Sequence, residues 1–241
     1  MSNKKRSKVL LDFFETINHF SSKHKRKQTI FIGISGFPGA GKSTLAMELE
    51  NIISKNGYNT FTVHQDDFRI DKKLRLDKDG NFLYSDLPFI NQWHDWKDLS
   101  YLLYKIKTAK KSITFTSMKY DSKTSKRTMI KEYCVEIVKD KTLFVIIEGA
   151  FIFDLGKRNL YNIDANQINN LLDFKIFVFR NSEDFFDKEN FVEVLISRKL
   201  ENKRNKSERN TIYEHAMKYV DVVNDSINHA IQKWKGADFF F

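Results

Sequence analysis

Residues 29–45, TIFIGISGFPGAGKSTL, constrain this chain more than any other stretch. Ile30, Phe31, Ile32 and Ile34 form an apolar, β-type run that leads into Gly36-Phe-Pro-Gly39-Ala40-Gly41-Lys42-Ser43-Thr44. The spacing is G-x-x-x-x-G-K-[ST], with a predicted strand before it and a helical pattern after it. A chance glycine-rich turn would not bring both flanks. Each residue type answers to the chemistry of a polyphosphate. Glycines let backbone N–H groups curl round a phosphate with no Cβ in the way. A helix starting near Lys42 turns its positive end toward the same anion. Lys42 is placed for the β- and γ-phosphates and the Ser43 hydroxyl for Mg²⁺. Gly36, Gly39, Ala40, Gly41, Lys42, Ser43 and Thr44 are therefore the expected cradle for ATP.

A chain of 241 residues, 41 % hydrophobic and 30 % charged, can bury a full core. The organisation expected is a basic helix over 1–28 followed by one phosphate-loop domain over 29–241. The longest purely apolar run, 143–147, is far too short to span a bilayer. The single cysteine, Cys134, rules out an internal disulfide and suits a reducing cytoplasm. Although the net charge is +10, the cations fall in three separate clusters with no aromatic-interleaved recognition motif. A small-molecule partner is favoured over nucleic acid.

In chain order, residues 8–20 carry apolar side chains at helical spacing, and a helix laid against the domain body is expected. Leu45, Leu49, Ile52 and Ile53 continue the helix after the phosphate loop, and Gly57 ends it. Residues 60–64 read as a second strand that delivers Gln65-Asp66-Asp67-Phe68 at its end. Trp96, Leu99, Leu102, Leu103 and Ile106 mark a further helix. Two exposed strands are expected at 112–118 and 132–139, on either side of the basic segment 119–127. Residues 143–147, ending in Glu148-Gly149, and 174–179 read as buried parallel strands. A charged helix over 184–209 and a long terminal helix over 212–234 complete the pattern. Phe239-Phe240-Phe241 is expected to pack on the body or on a partner subunit, the latter giving a homo-oligomer. Strands alternating with helices around a phosphate loop define an α/β sheet with helices on both faces.

In such sheets ligands sit at the carboxyl ends of the strands. Phosphoryl transfer to a hydroxyl wants a carboxylate beside that hydroxyl, and Asp66 or Asp67 can supply it. Glu148 is the second acidic group, placed to organise Mg²⁺. Arg198 and Lys203, on one charged stretch with Arg204, form a candidate flap over the γ-phosphate; the plainer reading is a solvated face. The histidines show no metal-ligand spacing.

Four pieces together resemble the uridine kinase group of phosphate-loop kinases, which includes phosphoribulokinase. They are 36–44, Gln65-Asp66-Asp67-Phe68, Tyr120-Asp121-x-x-Thr124-x-x-Arg127, and Ile147-Glu148-Gly149 with the four residues after it. The resemblance implies a nucleoside-kinase-like sheet of five parallel strands, with a small β-hairpin over the acceptor and a helical lid. It also implies Asp66 as the base toward a ribose 5′-hydroxyl, Tyr120 and Arg127 beside the nucleoside, and Arg198 and Lys203 in the lid. Two positions depart from the pattern. Gln92 falls where the group carries the Asp that binds ribose hydroxyls, and Ser125 where it carries a His. Either a nearby carboxylate, Asp86 or Asp95, takes over the ribose, or the acceptor is not uridine.

The expectation is an ATP- and Mg²⁺-dependent kinase acting on uridine or cytidine. The alternatives are a kinase of the same fold for nicotinamide riboside, pantothenate or a sugar phosphate, and a nucleotide-gated binding protein with no enzymatic activity.

Overall fold

The computed structural model describes residues 3–23, 29–36, 39–75, 78, 93–150, 152, 168, 170–178 and 239–240. Asp86, Gln92, Arg198, Lys203 and the helices expected over 184–209 and 212–234 lie outside them. The elements are α1 (Asn3–Lys23), β1 (Thr29–Gly36), α2 (Lys42–Lys55), β2 (Asn59–His64), α3 (Trp96–Thr108), β3 (Ile113–Asp121), β4 (Lys126–Val135), β5 (Leu143–Glu148), β6 (Phe174–Val178) and β7 (Phe239–Phe240). A 3₁₀ turn, Gln65–Phe68, follows β2 directly.

The main sheet runs β2-β5-β1-β6-β7, and its pairs are parallel. β1 lies between β5 and β6, and all eight of its residues are buried. Ile30, Ile32 and Ile34 join a core with α1 and α2 on one face of the sheet. Phe31 belongs to a second core with α3 and the hairpin on the other. A strand covered on both faces cannot alternate apolar with polar, so the sequence shows a continuous apolar run. β7 adds the terminal Phe239–Phe240 to the sheet beside β6, pairing with Ile176 and Phe177.

Three predicted boundaries move. α1 is longer than residues 8–20, because its polar flanks continue the same turns. The hairpin strands extend inward from the expected 112–118 and 132–139. The basic segment thus becomes the ends of β3 and β4 and the turn that joins them, and residues 136–139 fall outside the strand. Apolar alternation fades after Met118, but the backbone ladder continues because the turn closes in four residues. Asp121 accepts the N–H of Lys123 at 2.9 Å and the Thr124 hydroxyl at 2.9 Å, and Ser125 adopts φ +58°.

α1 buries Leu10, Phe13, Phe14 and Ile17, and Phe13 meets Phe174 of β6 edge-on at 5.9 Å between ring centroids. Truncating such a ring leaves a cavity that packed neighbours fill only in part. Phe13→Ala is expected to cost about 3–5 kcal/mol in urea unfolding. Leu11→Ala, on the exposed side of the same helix, should cost under about 1 kcal/mol. Equal losses would mean that α1 is not packed in this way.

Candidate active site

The carboxyl ends of β1, β2 and β5 lie side by side, since Ile34 and His64 are both register partners of Glu148. Close backbone approach dictates the glycines here. At Gly36, with φ +141°, a Cβ would stand 2.3 Å from the carbonyl oxygen of Val178. At Gly149 it would stand 2.0 Å from Gln65 Oε1. Gly39 and Gly41 have φ of +87° and +96°, which favour glycine whatever the space. Gly41 is the N-cap of α2 and brings no side-chain acceptor, so the first-turn amides suit an anionic ligand. The Lys42 side chain is buried, whereas Ser43 and Thr44 are exposed at the first turn. The Gly149 N–H donates to the Ile34 carbonyl at 3.0 Å, and Ser35 Oγ donates to the Ala150 carbonyl at 3.0 Å. The loop and the end of β5 are thereby stitched together.

The two adjacent acids in the turn after β2 have opposite surroundings. Asp67 is 6 % exposed and receives Lys119 at 2.9 Å and Lys131 at 2.6 Å. The Tyr133 hydroxyl donates to it at 3.3 Å. Burial acts to raise the Asp67 pKa, and the two hairpin ammonium groups outweigh it, leaving the pKa lowered. Asp66, by contrast, has 71 % of its side chain exposed, with Arg69 Nη2 at 2.8 Å and His94 Nε2 at 3.7 Å. Desolvation by the surrounding wall would raise its pKa; Arg69, His94 and Lys42 overcome that and hold the carboxyl well below the usual range. Burial pushes the His94 ring down to about 4 against the pull of Asp66, so it is neutral near pH 7. Asp66 is thus an ionised carboxylate open to a ligand, whereas Asp67 ties the turn to the hairpin.

The predicted acceptor residues that are described are mostly engaged by neighbouring protein groups. Arg127 donates to Asp95 and Asp98 at 2.5 Å each and to the Met118 carbonyl at 2.7 Å. Its backbone N–H reaches Asp71 at 2.6 Å. The other carboxylate oxygen of Asp95 caps α3 by accepting from the Asp98 N–H at 2.9 Å. Ser117 also donates to Asp98. The Tyr120 hydroxyl accepts from Arg75 at 3.0 Å, and the guanidinium carbons of Arg69 and Arg75 lie 5.7 and 5.4 Å from the ring centroid. Ser125 sits in the hairpin turn, where its carbonyl accepts the Lys72 N–H at 3.0 Å.

At the end of β5, buried Glu148 meets His64 Nδ1 at 2.8 Å. That hydrogen bond, opposed by desolvation, raises the His64 pKa. Among the described residues no group of three His, Cys, Asp or Glu could cage a metal. Mg²⁺ does not need one: it takes one or two hard oxygen ligands from protein and the rest from phosphate and water. The Ser43 hydroxyl and the Glu148 carboxylate are donors of that kind.

Arg69, His94 and the lysine pair on Asp67 escaped the sequence reading. Hairpin register could have signalled the lysines, because Lys119 and Lys131 occupy diagonal positions across β3 and β4. No local pattern announces His94, which reaches Asp66 through the bridge between residues 69 and 94.

The two acids therefore differ in what they do for stability. Asp67→Asn is expected to lose roughly 2–4 kcal/mol near neutral pH, since it strips the partner from two half-buried lysines. Asp66→Asn should change stability by under about 1 kcal/mol. Because the Asp67 pKa is lowered on folding, its contribution is complete above the ordinary carboxylate value of 3.8 and is lost as the pH falls below it. Urea titrations from pH 2 to 7 would show that acid limb in the parent and a shallower one in Asp67→Asn, the remainder belonging to Asp66. Equal stability of the two variants would contradict the assignment.

By sequence, residues 31–235 match the Phosphoribulokinase / Uridine kinase family. No curated protein sequence matches the chain. Several solved structures share the fold. A candidate fructose transport system kinase from Silicibacter sp. TM1040 superimposes with a TM-score of 0.58 at 16 % identity, covering 89 % of this chain and 90 % of that one. D-glycerate 3-kinase from Cryptococcus neoformans var. grubii gives 0.57 at 15 %, covering 91 % and 89 %. A possible uridine kinase from Bacillus stearothermophilus gives 0.53 at 19 %, covering 98 % and 99 %. With the motif, the sheet order and the match over most of its length, the chain belongs to the phosphoribulokinase / uridine kinase family.

Proposed function

We propose that this protein transfers the γ-phosphate of ATP to a hydroxyl of a small molecule, with Asp66 facing that hydroxyl. The observation that carries the reading is the contrast between the two acids: Asp66 is ionised and open beside Lys42, while Asp67 is consumed by the hairpin. The glycine cradle fits a triphosphate, and Ser43 and Glu148 would hold Mg²⁺, which when bound offsets phosphate charge. Lys42 neutralises charge on the transferring group, and Arg198 and Lys203 are assigned to a lid over it.

As the acceptor oxygen bonds to the γ-phosphorus and the bond to ADP breaks, the hydroxyl proton passes to Asp66. In a loose transition state this proton leaves late. A carboxylate held well below its usual pKa is a weak base early, so its main work is to orient the hydroxyl and take the proton at the end.

Two acceptor readings follow. The 5′-hydroxyl of uridine or cytidine is supported by the spacing of Tyr120, Asp121, Thr124 and Arg127, with Gln92 and Ser125 at the two departures. A hydroxyl on a different class of molecule is favoured by the engagement of Arg127 and Asp95 with each other and of Tyr120 with two guanidinium groups. A nucleotide-gated binding protein would have no use for Asp66. No described helix is long and apolar enough to cross a membrane, and a cytoplasmic location suits the free, exposed Cys134.

Asp66→Asn is expected to lower kcat by roughly 10²–10⁴ with the KM for ATP nearly unchanged. Lys42→Ala should abolish turnover and weaken ATP binding. Steady-state ADP release checks both. Full activity in Asp66→Asn would remove the acid from the reaction.

A further inference from the structure

We infer that His94 is the positioning residue of Asp66: its ring holds the Oδ1 oxygen and leaves Oδ2 as the oxygen that meets the acceptor hydroxyl. The inference rests on the kinase reading above and adds the group that aims the carboxylate. The contacts of the Asp66 side chain converge on one oxygen. Arg69 Nη2 lies 2.8 Å and His94 Nε2 3.7 Å from Oδ1. Among the described residues no contact is made to Oδ2, and the side chain is open.

The two contacts differ in kind. Arg69 lies at the end of the same 3₁₀ turn as Asp66 and is partly exposed. His94 comes from outside that turn and is built in. Its side chain is 1 % exposed, and its ring centroid lies 5.4 Å from that of buried Trp96. The bridge between residues 69 and 94 is closed on both sides. The Ile70 N–H donates to the Trp93 carbonyl at 2.9 Å and the Asp95 N–H to the Phe68 carbonyl at 2.7 Å. Asp95 in turn caps α3. His94 thus ties the carboxylate to the frame of the domain, which a partner in the same turn cannot do.

The chemistry fixes the form of the ring. A carboxylate only accepts, so the imidazole nitrogen that faces Oδ1 has to carry the hydrogen. Burial, with Arg69 and Arg75 nearby, outweighs Asp66 and holds the ring's pKa down to about 4. The ring is therefore neutral near neutral pH, and its one proton belongs on Nε2. A neutral donor orients Oδ1 without adding a full positive charge beside a base. At 3.7 Å the contact is long for a hydrogen bond, and it is expected to tighten once a ligand engages Oδ2. As the acceptor oxygen bonds to the γ-phosphorus and the bond to ADP breaks, the hydroxyl proton ends on Oδ2 while Oδ1 keeps its donors. The rival role is a core histidine that packs on Trp96 and acts on nothing.

Two polar substitutions separate these roles. In His94→Gln the amide nitrogen stands where Nε2 does, whereas in His94→Asn it falls short. ADP release is measured with ATP, Mg²⁺ and each of uridine, cytidine, nicotinamide riboside, pantothenate and D-glycerate, and the acceptor that the parent turns over best is used throughout. His94→Asn should lower kcat by about 10- to 100-fold, the scale of a misaimed reacting group, with the KM for ATP nearly unchanged. His94→Gln should recover most of that loss. In an Asp66→Asn background the His94→Asn change should cost almost nothing, because no carboxylate is left to aim. Equal losses in both backgrounds, or in Gln and Asn, would mark a packing role and overturn the inference while leaving the kinase reading intact. Long-range ¹H–¹⁵N spectra of the histidine-labelled parent, with His94 assigned by its absence from His94→Gln, test the same point without turnover. The Nε2–H tautomer is expected, and the Nδ1–H tautomer would overturn the inference. No ADP release by the parent with any of the five acceptors would overturn the kinase reading and the inference with it.

Discussion

The site depends on the parallel pairing of β1 between β5 and β6. β1 and β5 bury every residue, and β6 buries all but a partly covered Lys175. The hydrophobic drive to cover both faces fixes the strands' relative height. That height sets the chemistry. With Ile34 and His64 level with Glu148, the phosphate loop, the turn carrying Asp66 and the Glu148 carboxylate emerge on one edge. Gly36 and Gly149 then let backbone and Gln65 close within distances that no Cβ would permit. A slip of one residue would separate these groups and move each core side chain to the opposite face of the sheet.

Asp66 and Asp67 show how neighbouring identical residues divide the work. In a 3₁₀ turn, adjacent side chains point in different directions. One carboxylate enters the hairpin and is neutralised by Lys119 and Lys131. The other stays in the opening, kept ionised by cations around it. The buried acid costs desolvation, offset by two ion pairs and a tyrosine hydroxyl. In return, the hairpin is tied to the turn that bears Asp66. Arg127 makes a second tie, from β4 to the start of α3.

Much of this was legible in the sequence. The phosphate loop, α2, the buried runs of β1, β5 and β6, and the apolar face of α3 follow from local sequence, because the helices bury a periodic face and the strands a continuous run. The hairpin was placed, but its ends were not. There the ladder runs on to the turn that Asp121 and Thr124 close, past the point where apolar alternation fades, and the ionic tie of residues 67, 119 and 131 lies in no local window. The same limit hid His94 and the position of Arg69. Tyr120, Asp121, Thr124 and Arg127 were legible as a motif, and the structure assigns much of it to architecture. Asp121 and Thr124 close the turn, Arg127 pins the hairpin, and Tyr120 backs two arginines.

In the proposed reaction the γ-phosphate leaves ATP for a small molecule. The most direct measurement is the fate of the label in [γ-³²P]ATP when the protein is supplied with a mixed pool of low-molecular-weight hydroxyl compounds. Label is expected in a small organic phosphate, in amounts equal to the ADP formed. Label recovered only as inorganic phosphate or on the protein, or tight ATP binding with no transfer, would contradict it and favour a nucleotide-gated binding protein.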